Sequence, residues 1–213
     1  MIRAILFDLD GVLVPAADSH FEALNLALQE VCGRPVLPNE RDAYEGLSTR
    51  QKLAQMVQSG RIPSGSEDAI YRLKQAHTMR FAEGRIEPDP VKQVMCGRLR
   101  IQGYKLACVS NCIRDSVEAL LRLSGLRRSM EITVSNEDVA RPKPSADPYL
   151  LACQWLSVIP EEAMVVEDHE RGVAAASAAG CYFVQLEYSE VYYLRVKKAL
   201  DELKEKETRR PTR

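Results

Sequence analysis

Four polar clusters in this sequence follow apolar runs and carry groups that can do chemistry. The clusters are Asp8-Leu9-Asp10, Ser110-Asn111, Lys143 between two prolines, and Glu167-Asp168. Asp8 and Asp10 are two residues apart, so both carboxylates can reach the same side of a chain that is leaving a strand. Unit negative charges about 4 Å apart repel by roughly 4 kcal/mol at an effective dielectric of 20. Acids that share such a site therefore need a cation or raised pKa values.

These groups match the requirements of phosphoryl transfer. Oxygen ligands favour a hard cation, and Mg²⁺ commonly combines one or two carboxylates with phosphate and water. Ser110 and Asn111 precede a predicted helix whose free N–H groups suit a phosphate, and Lys143 adds a positive charge. A carboxylate can then attack the phosphorus and form an aspartyl phosphate. Asp10 can protonate the leaving oxygen and afterwards activate water.

Each cluster alone also has an ordinary structural explanation. Two nearby aspartates often form a turn, Ser-Asn after a strand often caps a helix, and a lysine between prolines is usually at the surface. The argument for a site rests on the order of the clusters. In open α/β sheets ligands bind at the carboxyl ends of the strands, and we expect all four clusters to meet there.

The elements that would position the clusters follow an alternating pattern. Apolar runs predict strands at 2–7, 105–110, 131–134, 163–167 and 182–186, with helical periodicity between the later ones. This alternation predicts a parallel sheet that is covered by helices on both faces.

The interval between the first two strands is far longer than the dozen or so residues that a simple crossover needs. It shows helical patterns only, at about 19–32, 40–44, 48–59, 67–82 and 91–102, with glycines at 33, 60, 84 and 103 as expected helix ends. We predict an inserted all-helical domain at 16–85, and a core made of 1–15 and 86–213.

Composition limits the possible partners and location. The 213 residues are 46% hydrophobic and hold 29 Lys+Arg against 30 Asp+Glu, which gives no basic field for nucleic acid. No apolar stretch approaches the roughly 18 residues of a membrane span. Six cysteines without metal-site spacing predict reduced core thiols of a cytoplasmic protein, and a strand starting beside Met1 leaves no room for a signal peptide. The basic segment 195–213 is expected to be a solvated helix with a frayed tail. The oligomeric state is not specified by the sequence.

Longer motifs around the four clusters resemble the haloacid dehalogenase-like hydrolase superfamily, in the branch with β-phosphoglucomutase and phosphoglycolate phosphatase. They are FDLDGVLV at 7–14, VSN at 109–111, RPKPSADPY at 141–149 and VVEDHERGVAAASAAG at 165–180. The resemblance covers about residues 2–190. It implies a Rossmann-like doubly wound parallel sheet, with the inserted helices as a cap that closes over the site and selects the substrate.

The same resemblance implies roles for the core residues. Asp8 is expected to be the nucleophile and Asp10 the general acid/base. Mg²⁺ would be held by Asp8, the backbone carbonyl of Asp10 and Asp168, with Glu167 nearby or ligating. The groups expected to bind the phosphoryl group are Ser110, Asn111 and Lys143. Dehalogenases of this superfamily lack an aspartate at the position of Asp10, so its presence here favours phosphate esters.

The cap contributes two further candidates for substrate binding. His20 stands where β-phosphoglucomutase has a histidine near its substrate, and GLSTRQKL at 46–53 resembles the substrate-facing loop of the cap. Arg50 is a candidate for pairing with a second anionic group of the substrate. The alternative is an exposed arginine at a helix start. Ser48 with Gln51 three residues later predicts a capping box there.

Two departures from the family pattern affect what can be expected. Pro15-Ala16-Ala17 replaces an acidic residue followed by Ser or Thr, which leaves cap movement and substrate choice open. His169 replaces Ser or Thr after the acids of the fourth motif, and either lies near the metal ligands or points outward. Lys52 and Lys74 are the cap lysines that a phosphonate hydrolase would need for a Schiff base. We interpret both as solvated helix residues.

These patterns lead to one expected function and two alternatives. We expect a Mg²⁺-dependent phosphatase that acts on a small phosphorylated metabolite such as a sugar phosphate. A hexose-phosphate mutase would share the aspartyl phosphate but return the phosphoryl group to sugar. A catalytically idle relative would serve as a binding or regulatory subunit, although a site freed from catalysis has no physical need for clustered carboxylates.

Overall fold

The computed structural model describes residues 1–208, with side chains as far as residue 205, and is built around a five-stranded parallel sheet. The strands are β1 Ala4–Phe7, β2 Lys105–Val109, β3 Ile132–Val134, β4 Ala163–Glu167 and β5 Tyr182–Gln185. Their order across the sheet is β3-β2-β1-β4-β5. The winding therefore reverses at β1, and the expected doubly wound α/β fold is confirmed.

The described part of the chain contains eight α-helices. They are α1 Ala17–Cys32, α2 Thr49–Gln58, α3 Glu67–Arg85, α4 Pro90–Ile101, α5 Arg114–Leu123, α6 Asp147–Leu156, α7 Glu170–Ala179 and α8 Tyr193–Thr208. The alternating side chains of β1 point into two apolar layers, with Ile5 and Phe7 in one and Ala4 and Leu6 in the other. Helices α4, α5 and α8 fill the first layer, and α6 and α7 fill the second.

Helices α1, α2 and α3 lie between β1 and β2 and share an apolar cluster that is separate from both layers. Its buried members are Leu24, Ala27, Leu28, Val36, Leu53, Met56, Ile62 and Ile70. Ala16 and Ala82, near the two ends of this segment, pack instead into the sheet layer of α4 and α5. We propose on this basis that residues 16–85 form a cap anchored at both ends on a core of 1–15 and 86–213.

One expected helix end is wrong. α3 passes through Gly84 and ends at Arg85, because the N–H of Ile86 still donates to the carbonyl of Ala82 at 2.9 Å. A glycine inside a helix costs only about 1 kcal/mol relative to alanine. The helix ends where Ile86 becomes extended, shortly before the two prolines at 88 and 90.

The remaining expectations concern the cysteines and the C-terminal segment. Four cysteines are buried as expected, whereas Cys32 and Cys112 are only partly buried. The predicted C-terminal helix is present as α8. The arginines at 209, 210 and 213, for which a frayed tail was expected, lie outside the described residues. None of the helices within 1–208 combines the length and apolar character required to cross a membrane.

Candidate active site

The carboxyl edge of the sheet faces the cap helices across a cavity of about 570 Å³. All four predicted polar clusters reach it, and the residues that line it include Asp8, Asp10, Ser110, Asn111, Lys143, Glu167 and Asp168. His20, from α1 of the cap, also lines the cavity. The order of the clusters along the chain therefore predicted their convergence correctly.

The turn after β1 explains how the two aspartates reach this cavity. The N–H of Asp8 still pairs with the carbonyl of Val166 on β4 at 3.0 Å, so Asp8 is fixed by the sheet. The chain then turns at Gly11, where φ is +82°. A Cβ at Gly11 would lie 1.9 Å from Oδ2 of Asp168, so only glycine allows the turn and the second acid to approach this closely.

Three carboxylates form an oxygen-rich group beneath this turn. Oxygen atoms of Asp8, Glu167 and Asp168 all lie within 4.8 Å of one another. Burial, reinforced by the charge of Glu167, raises the pKa of Asp8 well above its usual range and that of Asp168 to about 7. A divalent cation would relieve the repulsion among these carboxylates. Because all three offer only oxygen ligands, they suit a hard cation.

Lys143 bridges two of these acids. Its Nζ donates to Oδ1 of Asp8 at 2.6 Å, to Oε1 of Glu167 at 2.6 Å and to the carbonyl of Val109 at 2.8 Å. The side chain is almost fully buried. Burial alone would lower the pKa of Lys143, but Asp8 and Glu167 outweigh it and raise that pKa well above its usual range. Lys143 is therefore a fixed positive charge beside the candidate nucleophile.

Glu167 has a dense set of partners that the sequence did not reveal in full. The hydroxyl of Tyr149 donates to its Oε1 at 2.7 Å, and the backbone N–H of Asp168 donates to its Oε2 at 3.2 Å. A Cβ at Gly172 would lie 1.8 Å from Oε1, so α7 also passes close to this carboxylate. Tyr149 was missed as a site residue, although it is the last residue of the third motif at 141–149.

Asp10 lies in a second group with cap and core partners. Its Oδ1 is 3.1 Å from Nε2 of His20, and its Oδ2 accepts from the thiol of Cys112 at 3.0 Å. Lys74 extends the chain of contacts, with Nζ 3.1 Å from Nδ1 of His20. Burial favours a higher pKa for Asp10, but the charge and hydrogen bond of His20 and the hydrogen bond of Cys112 outweigh it and lower the pKa to about 2. The carboxylate is thus ionised in this arrangement.

The cap cations differ from the sequence-based interpretation. Arg50 is exposed, with its guanidinium 3.5 Å from Asp68 and over the ring of Tyr71, and it does not line the cavity. Lys74 is buried and Lys52 is only partly exposed, and both line the cavity. The position of Arg50 agrees with the alternative of an exposed arginine at a helix start, and its role in substrate binding stays a prediction. The solvated interpretation of Lys74 is wrong.

The error has a visible origin in helix periodicity. Lys74 belongs to the buried stripe Ile70, Lys74, Thr78 and Ala82 of α3, whose four-residue spacing was available in the sequence. Burial, reinforced by the charge of Lys74, lowers the pKa of Lys52 to about 8. Within residues 1–208, the Lys52 side chain has no hydrogen bond or ion pair, and Lys74 has only its contact with His20.

The two phosphate-binding candidates after β2 are both engaged by the protein. Oγ of Ser110 accepts from the N–H of Cys112 at 3.0 Å. The amide of Asn111 donates to the carbonyls of Gly46 and Lys143 at 2.9 and 3.0 Å, and accepts from the N–H of Lys143. Asn111 therefore connects the core loops to the cap loop.

His169, whose position was left open, caps α7. Its Nδ1 accepts from the N–H of Arg171 at 3.1 Å, in the place that Ser or Thr usually takes at a helix start. The ring also lines the cavity and lies against the cap, because a Cβ at Gly46 would be only 2.7 Å from Nδ1.

Several known proteins are similar to this chain in sequence and fold. A relative from Cupriavidus necator, a plasmid-encoded phosphoglycolate phosphatase, is 33% identical over 183 residues, or 83% of this chain and 77% of its own. A variant of CbbY from Rhodobacter sphaeroides, solved with xylulose-(1,5)bisphosphate, superposes with a TM-score of 0.78 at 26% identity over 88% of this chain and 87% of that chain.

A β-phosphoglucomutase from Clostridium difficile is similar in fold, with a TM-score of 0.84 at 18% identity over 98% of this chain and all of that chain. The family model of the haloacid dehalogenase-like hydrolases matches residues 5–186, which is most of the chain. The chain therefore belongs to the haloacid dehalogenase-like hydrolase family.

Proposed function

We propose that this protein is a Mg²⁺-dependent phosphatase that hydrolyses a small phosphate monoester through an aspartyl phosphate on Asp8. The observation that carries the proposal is the arrangement around β1. Nζ of Lys143 donates a hydrogen bond to Oδ1 of Asp8 at 2.6 Å, and Asp10 faces the same cavity from the following turn. Phosphoryl transfer requires a positioned nucleophile, charge neutralisation and a proton donor, and these groups supply all three.

The carboxylates of Asp8, Glu167 and Asp168 fit a magnesium ion, with the backbone carbonyl of Asp10 as a further oxygen ligand. When bound, the ion would neutralise charge on the oxygens of the transferred phosphoryl group. Lys143 neutralises part of the same charge from the protein side. Ser110 and Asn111 are proposed to bind the remaining phosphoryl oxygens, which requires Asn111 to exchange its contact with the Gly46 carbonyl for substrate.

The chemistry is proposed to proceed in two displacements. A carboxylate oxygen of Asp8 attacks phosphorus, the ester P–O bond breaks, and the leaving oxygen takes a proton from Asp10. Asp10, now ionised, removes a proton from water, whose oxygen attacks phosphorus and displaces Asp8 as free carboxylate. Asp10 is ionised in the structure, so it must take up a proton before the first displacement. The contacts from Lys74 through His20 to Asp10 form a chain along which that proton can reach it, and the proton taken from water in the second displacement restores it.

The cap suggests that the substrate carries a second negative charge. Lys52 and Lys74 present two ammonium groups to the cavity, and no carboxylate among the described residues pairs with either. Unpaired buried charges are costly, and an anionic group of the substrate would compensate them. The names of two similar proteins fit this class, since phosphoglycolate carries a carboxylate and xylulose bisphosphate a second phosphate.

Phosphate release tests the proposal. The purified protein is incubated with Mg²⁺ and two matched esters, 2-phosphoglycolate and 2-hydroxyethyl phosphate, which differ in their second charge. We expect hydrolysis of both, a lower KM for 2-phosphoglycolate, and loss of activity in Asp8→Asn and Asp10→Asn. Lys52→Met should raise the KM for 2-phosphoglycolate and leave that for 2-hydroxyethyl phosphate unchanged.

Three results would contradict parts of this proposal. Equal activity of wild type and Asp8→Asn on every ester would exclude the aspartyl mechanism. Isomerised sugar phosphate with little free phosphate, from β-glucose 1-phosphate, would identify a mutase. An unchanged ratio of KM values in Lys52→Met would exclude the second-charge subsite while leaving the phosphatase in place.

A further inference from the structure

Asp10, His20 and Cys112 bring three different ligand types together in the cavity. His20 Nε2 is 3.1 Å from Oδ1 of Asp10, the thiol of Cys112 is 3.0 Å from Oδ2 of Asp10, and it is 3.3 Å from His20 Nε2. One ligand atom of each residue lies within 4.8 Å of the others. The three come from separate segments, namely the turn after β1, helix α1 of the cap and the loop after β2.

These separations are close to those of a tetrahedral zinc site. Zinc binds sulfur at about 2.3 Å and nitrogen or oxygen at about 2.0–2.2 Å, which puts neighbouring ligands about 3.3–3.6 Å apart. The observed distances are a few tenths of an ångström shorter, so small movements would admit the ion. Thiolate and imidazole favour Zn²⁺ over Mg²⁺, whereas the oxygen-only group of Asp8, Glu167 and Asp168 has the opposite preference.

We propose that Asp10, His20 and Cys112 form an inhibitory site for Zn²⁺. The ion would bind the carboxylate of Asp10, whose Oδ1 faces His20 and Oδ2 faces Cys112, together with Nε2 and the thiolate, with release of the thiol proton to solvent. A carboxylate of Asp10 that binds zinc could not act as the proposed acid/base. The ion would also connect the cap to the core through His20. Binding itself does not depend on the proposed phosphatase activity, but inhibition does.

Lys74 is the group that opposes zinc in this arrangement. Its Nζ lies 3.1 Å from Nδ1 of His20. When Nε2 binds a metal, the neutral ring carries its proton on Nδ1, which then faces the ammonium group as a second donor. No other hydrogen bond of the described residues holds the Lys74 side chain, so it can turn away at the cost of that one contact. Removing the lysine should therefore strengthen zinc binding.

Metal titration of the full-length protein in excess Mg²⁺ tests the site. Co²⁺ replaces zinc as a spectroscopic probe, because a Co²⁺–thiolate bond gives a charge-transfer band, and competition with a chromophoric chelator gives the Zn²⁺ affinity. The variants are Cys112→Ser and Lys74→Met, with Cys32→Ser as control. Cys32 is also partly buried, but its thiol donates to the carbonyl of Leu28 and does not line the cavity.

We expect one equivalent of Zn²⁺ and a thiolate band for the wild type and for Cys32→Ser. Cys112→Ser should lose the band and bind Zn²⁺ at least about tenfold more weakly, by analogy with losses at metal sites. Lys74→Met should bind more tightly, and a misfolded variant would not give this result. The site is excluded if Cys112→Ser retains the wild-type affinity, if the band is absent from the wild type, or if Lys74→Met binds more weakly.

Phosphate release distinguishes this inference from the proposed function. Zn²⁺ should abolish release by the wild type, a zinc-selective chelator should restore it, and any activity of Cys112→Ser should require more zinc for inhibition. Equal inhibition of Cys112→Ser would mean that zinc acts elsewhere, and would overturn the inhibitory role. A thiolate band in a protein that hydrolyses no ester would leave the zinc site in place and refute the phosphatase.

Discussion

Lys143 makes the buried acids Asp8 and Glu167 compatible with one another, because its ammonium group contacts both at 2.6 Å. Removing one partner of a buried ion pair typically costs about 3–5 kcal/mol. We expect Lys143→Gln to lower the free energy of unfolding by about 3 kcal/mol. We also expect it to reduce phosphate release about 100-fold or more, since it removes a fixed charge from the site. Chemical denaturation and steady-state kinetics measure the two effects.

Tyr149→Phe is the matched control for Lys143→Gln. It removes one neutral donor to Glu167, at 2.7 Å, and leaves the charges of the site unchanged. A net loss of about 1 kcal/mol in stability is expected from one hydrogen bond, with most of the activity retained. Equal losses in both variants would mean that packing, rather than the charge of Lys143, is what the site requires.

A glycine is needed at position 11 for two reasons. The backbone there has a positive φ, and the side chain of Asp168 packs directly against it. Gly11→Ala and Gly33→Ala both place a side chain at positive φ, which costs about 1–2 kcal/mol. Only at Gly11 would the new Cβ meet a side chain, since nothing lies within 4 Å of one at Gly33. We expect Mg²⁺ to raise the unfolding temperature of wild type and Gly33→Ala, and to have little effect on Gly11→Ala. If Mg²⁺ raised the unfolding temperature of all three proteins by a similar amount, Asp168 would not be required for metal binding.

At the scale of the element, α2 presents an unpaired charge to the cavity. The capping box predicted from Ser48 and Gln51 is present and fixes the helix start that orients Lys52. The pKa of Lys52 falls from 10.5 to about 8 on folding, so its protonated form is destabilising. At 1.36 kcal/mol per pKa unit, and allowing for its partial exposure, we expect Lys52→Met to stabilise the fold by about 1–3 kcal/mol at pH 7.

The pH dependence of this gain has a defined sign. The penalty of the charged lysine is complete below about pH 8, shrinks as pH rises above the folded-state pKa, and is gone near pH 10.5 where the unfolded chain also deprotonates. The advantage of Lys52→Met should therefore be largest at pH 7 and nearly absent at pH 10.5. Urea unfolding at both pH values measures it, with Lys198→Met as control because Lys198 is 67% exposed. A pH-independent gain would indicate packing by the methionine instead.

The charge of Lys52 should favour substrate binding, although it destabilises the fold. The charged form of Lys52 attracts a second anionic group below about pH 8 and loses this attraction above it. We expect the KM for 2-phosphoglycolate to rise between pH 7 and pH 9 in the wild type. In Lys52→Met, or with 2-hydroxyethyl phosphate, this rise should be absent. A rise that persists in Lys52→Met would assign the pH dependence to another group.

At the scale of the whole molecule, the sequence predicted the core better than the cap. Asp8, Ser110 and Glu167 end neighbouring parallel strands, and the geometry of such a sheet brings strand ends to one edge without further information. Lys52 and the contact of Cys112 with His20 are different. Both depend on how α1 and α2 pack over that edge, and this is set by long-range apolar contacts that local patterns do not specify.

Sequence reasoning failed, or left the answer open, where a residue had two local explanations. Arg50 and Lys52 are two positions apart on α2 and so face different directions, and the choice between them required the orientation of the helix. Lys74 was recoverable from its spacing with Ile70 and Thr78. His169 was not, because a histidine at a helix N-cap looks the same in sequence as one beside a metal.

The separate apolar cluster of the cap predicts that cap and core differ in local stability. Leu28 is fully buried among cap residues, and Leu6 is fully buried in a sheet layer. Leu28→Ala should cost about 2–5 kcal/mol, mainly within the cap, whereas Leu6→Ala should weaken the sheet on which the cap is anchored. In native-state hydrogen exchange we expect Leu28→Ala to accelerate exchange in α1, α2 and α3 and to leave β1, β2 and β4 protected.

The cap carries the two lysines that face the cavity, whereas the core carries the candidate nucleophile and Lys143, so the two variants should affect activity differently. Leu28→Ala would release Lys52 and Lys74 but leave Asp8 and Lys143 in place, so the KM for 2-phosphoglycolate should rise more than kcat falls. Leu6→Ala should accelerate exchange in strands and cap helices together and lower kcat. If Leu28→Ala instead exposes the strands as much as the cap helices, the two clusters unfold as one unit. Substrate selection by the cap would then be inseparable from the stability of the catalytic edge.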